Sequence, residues 1–236
     1  MRGYLLLTLL VALAAALEGS ETAPAWRKSV PETGGLQTFP LSTSALGSGK
    51  AFSIRIQLRP NALSQAGRLF EIAGTNGPGA VELEVGDGGR FGQLVRFLVT
   101  TDFRAKPLAV GFPVKRLAVD APHEVLLRGL GFRLDFFVDG VLADQEWPIG
   151  RVGANGTPEV QATSAVRDVQ IWPSALSDEA VNQQNGGERA IAARDLKMLG
   201  SQSTSEMQYF RPRGYNTSAG DAMHSSTTAC CMSSIC

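Results

Sequence analysis

Trp147, Trp172, Asp102, Asp139, Asn155 and Asp168 are the side chains of this chain whose types could do chemistry in regions that carry regular patterning. An indole stacks on the apolar face of a pyranose, and carboxylates and amides bond its hydroxyls, so this set points to recognition of a sugar. Trp147 and Trp172 are the candidate platforms, and Asp102 and Asn155 are candidate polar contacts. Asp139 and Asp168 are candidate oxygen ligands for calcium, the one cofactor in prospect. Structural roles stay open beside these: Trp172 can pack at the end of a sandwich, and Asp139 can serve a turn. Catalytic signatures are thinner. The two histidines, His123 and His224, lie far apart with no metal-ligand spacing, and His123 reads as a sheet residue. The chain has no Gly-x-Ser-x-Gly elbow, phosphate loop or dinucleotide fingerprint.

The elements that must position these residues are short. In 236 residues, 26 are Gly and 12 are Pro, a turn-rich mix that favours strands over long helices. Charge is balanced at 22 basic against 22 acidic, which argues against nucleic acid as a partner. All three cysteines, Cys230, Cys231 and Cys236, sit at the extreme C-terminus, so the body has no disulfide framework. Arg2 precedes the apolar run LLLTLLVALAAAL, and residues 1–17 read as a secretory signal peptide with Ala14, Ala15 and Ala16 at the cleavage site. The protein is therefore expected to be secreted or periplasmic, with no membrane association after cleavage; a retained anchor is the alternative. Asn155-Gly156-Thr157 and Asn216-Thr217-Ser218 are glycosylation sequons, meaningful only in a eukaryotic secretory pathway.

Residues 18–34 read as a flexible extension, with one edge strand around residues 36–39. Regular structure is expected from Ala51, where Phe52, Ile54, Ile56 and Leu58 alternate with Ser53, Arg55, Gln57 and Arg59 in a half-buried antiparallel strand. Further strands are predicted at residues 68–73, 80–85, 93–100, 123–128, 132–138 and 141–147, the last two joined at Asp139-Gly140. Another is predicted at residues 166–172, where Val166, Val169 and Ile171 alternate after one slip. Ser177 before Asp178 and Glu179 is a helix N-cap with acidic residues in the first turn, predicting a short helix over residues 178–184. Eight to ten strands with no long helix between them fit two antiparallel sheets and not a parallel one.

Asp168-Val169-Gln170-Ile171-Trp172-Pro173-Ser174-Ala175-Leu176-Ser177-Asp178-Glu179 resembles the C-terminal signature of the laminin-G-like jelly rolls of the concanavalin A-like superfamily. Leu134-Asp135-Phe136-Phe137-Val138-Asp139-Gly140-Val141-Leu142 is similar to that family's penultimate hairpin. His123 stands where the family has Trp-His, with Pro122 in place of the Trp. The resemblance implies an all-β, concanavalin A-like jelly-roll β-sandwich of two antiparallel sheets over residues 35–188, with one short helix near its C-terminal end.

Residues 189–206 read as a helix and linker. Residues 207–223, MQYFRPRGYNTSAGDAM, resemble the entry to the propeller of glycoside hydrolases related to invertase and levanase, and that resemblance puts Asp221 at the position of the nucleophilic carboxylate. Glycoside hydrolysis needs two carboxyl groups, and the partner of Asp221 would lie on blades this sequence does not contain, so catalysis is not expected of it. Residues 224–236, HSSTTACCMSSIC, resemble no propeller strand. Shifted by one base, codons chosen for them read Pro-Phe-Phe-His-Asp-Gly, a plausible continuation, so either a frameshift or a natural flexible tail ends the chain. The expected function is a secreted lectin-like accessory module that binds carbohydrate or the adjoining glycosidase propeller. The alternatives are the N-terminal fragment of an invertase-like glycosidase and a laminin-G-type interaction or adhesion module.

Overall fold

The computed structural model describes residues 23–74, 80–103, 106–147, 150–153 and 156–199. Twelve strands form two six-stranded antiparallel sheets: β1 (Trp26–Ser29), β2 (Gln37–Pro40), β3 (Ala51–Leu58), β4 (Gly67–Ala73), β5 (Val81–Asp87), β6 (Gln93–Val99), β7 (Leu108–Pro113), β8 (His123–Leu130), β9 (Leu134–Val138), β10 (Val141–Glu146), β11 (Glu159–Ala162) and β12 (Val166–Trp172). One sheet runs β1-β12-β3-β8-β9-β10 and the other β2-β11-β4-β5-β6-β7. Two helices follow, α1 (Asp178–Gln184) and α2 (Gly187–Leu199). The predicted two-sheet sandwich is therefore what the chain forms.

Period-two patterning builds the core. Phe52, Ile54, Ile56 and Leu58 of β3 meet Val125 and Leu127 of β8, Phe136 and Val138 of β9, and the inward residues Val81, Leu83, Val95 and Phe97 of the opposite sheet. Phe97 and Phe136 close the gap between sheets edge to face, with ring centroids 5.6 Å apart. The slip in residues 166–172 is a β-bulge, which shifts the register of β12 on β3 between Val166 and Asp168.

Two expectations are corrected. β1 lies inside the presumed flexible extension. Its residues show no alternation because pairing to β12, the Trp26 indole donating to the Pro40 carbonyl at 3.0 Å, and edge-to-face contact with Phe39 hold it instead. β3 is not half-buried: Ser53 and Arg55 on its outer face are buried too. What covers them is the segment after β12, whose Leu176 amide bonds Ser53; residues 200–206, expected as a linker, lie outside the described residues. Trp172, Leu176 and Val181 pack with Leu126 and Phe137 as a second, small apolar cluster, and Met198 of α2 reaches the main core. α1 stands where the helix over residues 178–184 was predicted, and α2 stands where the helix of residues 189–206 was expected.

Arg128 fastens that cover. Its Nε and Nη2 donate to Asp135 Oδ2 at 3.1 and 2.7 Å, while Nη1 donates to the Leu176 carbonyl at 3.0 Å and to Asp178 at 2.6 Å. The Leu176 amide in turn donates to Ser53 Oγ at 2.9 Å. Asp135 is wholly buried whereas Asp178 is open to water, so the Asp135 arm carries the energy.

The Asp139-Gly140 turn between β9 and β10 has positive φ at both residues, 50° and 81°, the geometry a tight hairpin demands. Asp139 Oδ1 accepts from the Glu124 amide at 2.8 Å, and Oδ2 lies 2.8 Å from His123 Nδ1. The other ring nitrogen of His123 is 2.8 Å from the Ala118 carbonyl. Burial pulls the His123 pKa down, but the hydrogen bond and charge of Asp139, with the Ala118 carbonyl, outweigh it and leave the group above its ordinary value near 6.5.

Arg128→Ala is expected to lower the unfolding free energy by about 3–5 kcal/mol, measured by chemical denaturation, because it strips a buried carboxylate of its main partner. For His123 the folded pKa is raised, so its stabilisation is complete below about pH 6.5 and is lost as pH rises through the raised value. Asp139→Asn should remove that part of the pH dependence in denaturation curves taken from about pH 5 to pH 9.

Candidate functional site

Strand register gathers several loops at one end of the sandwich. β3 begins at Ala51 opposite Leu130, where β8 ends, and β9 begins at Leu134 opposite Glu146, where β10 ends. Lys50, the Gly131–Arg133 turn and Trp147 therefore share that end. The chain after Trp147 returns to it: the Val152 amide donates to the Gly49 carbonyl at 2.8 Å, and Thr101 and Val152 form an isolated bridge. Asp102 closes the group. Its amide donates to the Arg151 carbonyl at 3.0 Å, and its Oδ1 accepts from the Arg151 amide at 2.7 Å. Gly150, at φ 101°, leaves the space that Asp102 Oδ1 and the Phe103 Cβ occupy, 2.5 and 2.9 Å from where its own Cβ would stand.

Three aromatic rings project from this end. Phe103, Phe132 and Trp147 are 69%, 65% and 57% exposed, whereas Phe52, Phe70, Phe97, Phe112 and Phe136 are fully buried. Rings that cost free energy to leave in water, on adjacent loops and at one place, form a surface able to stack against an apolar ligand face. Asp102 and Glu146 lie at the same end, Glu146 Oε1 accepting from the Trp147 amide at 3.0 Å.

The residues expected to form a site divide. Trp147 and Asp102 come together here. Trp172 does not: it is 2% exposed, in the small cluster under Leu176 and Val181, with the Arg55 guanidinium 5.2 Å from its ring centre. It presents no platform, because the C-terminal segment covers the outer face on which it lies. Asp168 and Asp139 are likewise engaged by protein. Asp168 Oδ1 accepts from Ser29 Oγ at 3.2 Å and Arg27 Nε at 3.3 Å, and its Oδ2 accepts from Gln170 Nε2 at 2.8 Å, which stitches β1 to β12. Asp139 holds His123 and the Glu124 amide. Among the described residues no three His, Cys, Asp or Glu side chains cluster as metal ligands, and each aspartate considered for calcium is held by protein partners. Asn155 and Asp221 lie outside the described residues.

Phe103 and Phe132 escaped the sequence reading. The sequence pattern makes Phe132 the first residue of a strand over residues 132–138, whereas β9 starts at Leu134 and leaves Phe132 in the turn. Phe103 had no sequence signal, since its neighbours are set by the bridge between Thr101 and Val152.

A cleft of about 360 Å³ opens elsewhere, between β9, β10 and the two helices, lined among others by Arg133, Phe137, Leu142, Asp178, Val181 and Ile191. Its one aromatic floor is capped, with the Arg128 guanidinium 4.9 Å from the Phe137 ring centre. Arg128 and Asp178 there are spent on fastening α1. The open rings are at the loop end.

The binding module of the Ruminococcus gnavus IT-sialidase, CBM40, matches with a TM-score of 0.50 and 14% identity, over 67% of this chain and 98% of the module. The binding domain of botulinum neurotoxin serotype D matches at 0.50 and 13% over 69% of this chain and 42% of that one, and a receptor-binding domain at 0.51 and 12% over 69% and 44%. The chain has an all-β jelly-roll fold. At these identities the likeness establishes the jelly roll and nothing finer. No family model and no curated protein sequence matches the chain.

Trp172→Ala is expected to cost about 3–5 kcal/mol of stability by opening a cavity under the C-terminal segment. Trp147→Ala should leave the melting temperature within about 2 °C of the parent, since an exposed ring contributes little to folding. Thermal denaturation of both variants distinguishes the buried tryptophan from the exposed one.

Proposed function

We propose that this jelly roll is a carbohydrate-binding module, and that its binding surface is the loop end carrying Trp147, Phe103 and Phe132. The observation that supports this reading is the convergence of those three exposed rings on adjacent loops of a rigid sandwich. Sugar binding asks for this combination: an apolar platform for the pyranose face, with polar groups such as Asp102 at its edge for the hydroxyls. Loops on a fixed scaffold suit it further, because Asp102 and Glu146 hold the backbone beside the rings before the ligand arrives and less entropy is lost on binding. The CBM40 module with which the jelly roll shares its fold belongs to a sialidase, which accords with an accessory role beside a glycosidase.

The outer segments complete the proposal. Residues 1–17 act as a signal peptide, and no helix among the described residues is long and apolar enough to cross a membrane. Residues 207–223 are the start of a glycoside hydrolase propeller with Asp221 at its nucleophile position, and the module accompanies or packs against that propeller without catalysing hydrolysis itself. Reading the DNA past the codon of Cys236 tests this part: a propeller in another frame supports it, and an immediate stop in a confirmed sequence overturns it.

For the binding reading, the purified chain is applied to a glycan array. At least one glycan class should be retained, and Trp147→Ala should weaken it by about tenfold. Retention unaffected by Trp147→Ala and by Phe103→Ala moves the site away from the loop end. No retention of any glycan, by a chain shown to be folded, ends the carbohydrate reading.

A further inference from the structure

We propose that the loop end selects an acidic saccharide, one bearing carboxylate or sulfate groups, and that Lys50, Lys106 and Arg151 are the residues that select it. The inference rests on the binding-module reading above and adds to it the ligand's charge.

The chain as a whole is neutral, with 22 basic and 22 acidic residues, so any local field comes from uneven pairing. The carboxylates near the three rings each hold a group of the protein, Asp102 and Glu146 through backbone amides that leave their charge in place and Asp135 through arginines. Asp102 Oδ1 accepts from the Arg151 amide at 2.7 Å, and Glu146 Oε1 accepts from the Trp147 amide at 3.0 Å. Asp135, wholly buried, lies between the guanidiniums of Arg128 and Arg133, with Arg133 Nε 2.6 Å from its Oδ1. The acids at this end brace their own loops.

The cations do not. Lys50, Lys106 and Arg151 are exposed, and none of them has an ion-pair partner among the described residues. They stand on or beside the loops that carry Phe103 and Phe132. Lys50 precedes β3, its Cβ 4.0 Å from the position a Cβ would take on Gly131, beside Phe132. Arg151 is bonded through its backbone to Asp102, next to Phe103. Lys106 leads from the Phe103 loop into β7 at Leu108. Three cations against the two carboxylates of Asp102 and Glu146 leave an excess of positive charge beside the rings, which favours a ligand that offers both an apolar ring face and a negative group, and an acidic sugar offers both. An extended anionic lipid surface fits less well, because it would also press on Asp102 and Glu146, whereas a single saccharide unit can seat between them.

The test uses the full chain and four probes: a heparin oligosaccharide, an oligogalacturonate, a neutral gluco-oligosaccharide of equal length, and vesicles of phosphatidylcholine with phosphatidylserine. Isothermal titration at low and high salt is expected to show the acidic oligosaccharides bound at least about tenfold more tightly than the neutral one, with the difference shrinking as salt rises. The triple variant Lys50→Glu, Lys106→Glu, Arg151→Glu should lose about tenfold for the acidic probes and little for the neutral one, each exposed charge contributing modestly. Its melting temperature, unchanged, shows that the loss is not unfolding. Equal binding of neutral and acidic probes, with no effect of the triple variant, overturns charge selection and leaves the module reading standing. Binding of no saccharide overturns both, and binding to the vesicles alone replaces the saccharide with a membrane surface.

Discussion

The fork of Arg128 is the contact on which the outer face of the β1 to β10 sheet depends. A sheet whose outward residues are Ser53, Arg55, Arg128, Asp135, Asp168 and Gln170 could stand in water with no cover at all. This one is covered, and each polar group then needs a partner or costs free energy. Arg128 answers for the cover itself, because the same guanidinium that neutralises Asp135 takes the Leu176 carbonyl and Asp178 of the covering segment. Ser53 receives the Leu176 amide. Polar complementarity thus fixes where the segment lands, and the apolar contacts of Trp172, Leu176 and Val181 with Leu126 and Phe137 supply the burial that holds it there.

That cover explains why the sequence was legible in some places and opaque in others. Features that depend on a few consecutive residues could be read. The Ser177 cap accepts from the Ala180 amide at 3.0 Å, the Asp139-Gly140 turn has the positive φ values it implied, and the slip in residues 166–172 is a bulge. Features that depend on distant partners could not. β1 has no alternation of its own, and β11, four residues long, takes its identity from β2 on one side and β4 on the other. The outer face of β3 looked solvated because Ser53, Arg55 and Gln57 are polar, and only the docking of a segment over a hundred residues later buries it.

The two tryptophans make the same point about the site. By residue type they are equals, each close to the end of a predicted strand. Trp172 is the last residue of β12 and alternates with Ile171, so parity sends it to the face opposite the main core, where the C-terminal segment lies over it. Trp147 stands one residue past the end of β10, beyond the pleat, where no neighbouring strand or segment claims its ring. One position relative to a strand end separates a structural ring from an available one. Pattern reading places strand ends only to within a few residues, so the distinction sat below what the sequence could resolve.

The same geometry separates the tasks of the two ends of β9 and β10. At the Asp139-Gly140 end the carboxylate is committed to His123 and the Glu124 amide, and Arg194 of α2 donates to the Asp139 carbonyl, so the turn is locked into the body of the sandwich. At the opposite end Asp102 and Glu146 cap amides of their own loops, which stiffens the backbone but leaves Phe103, Phe132 and Trp147 outside the packing. Two carboxylate caps thus hold described backbone at this end while the rings stay outside the core. Substitution at the rings therefore leaves Arg128, Asp135 and the core contacts in place, because those contacts are made by other side chains.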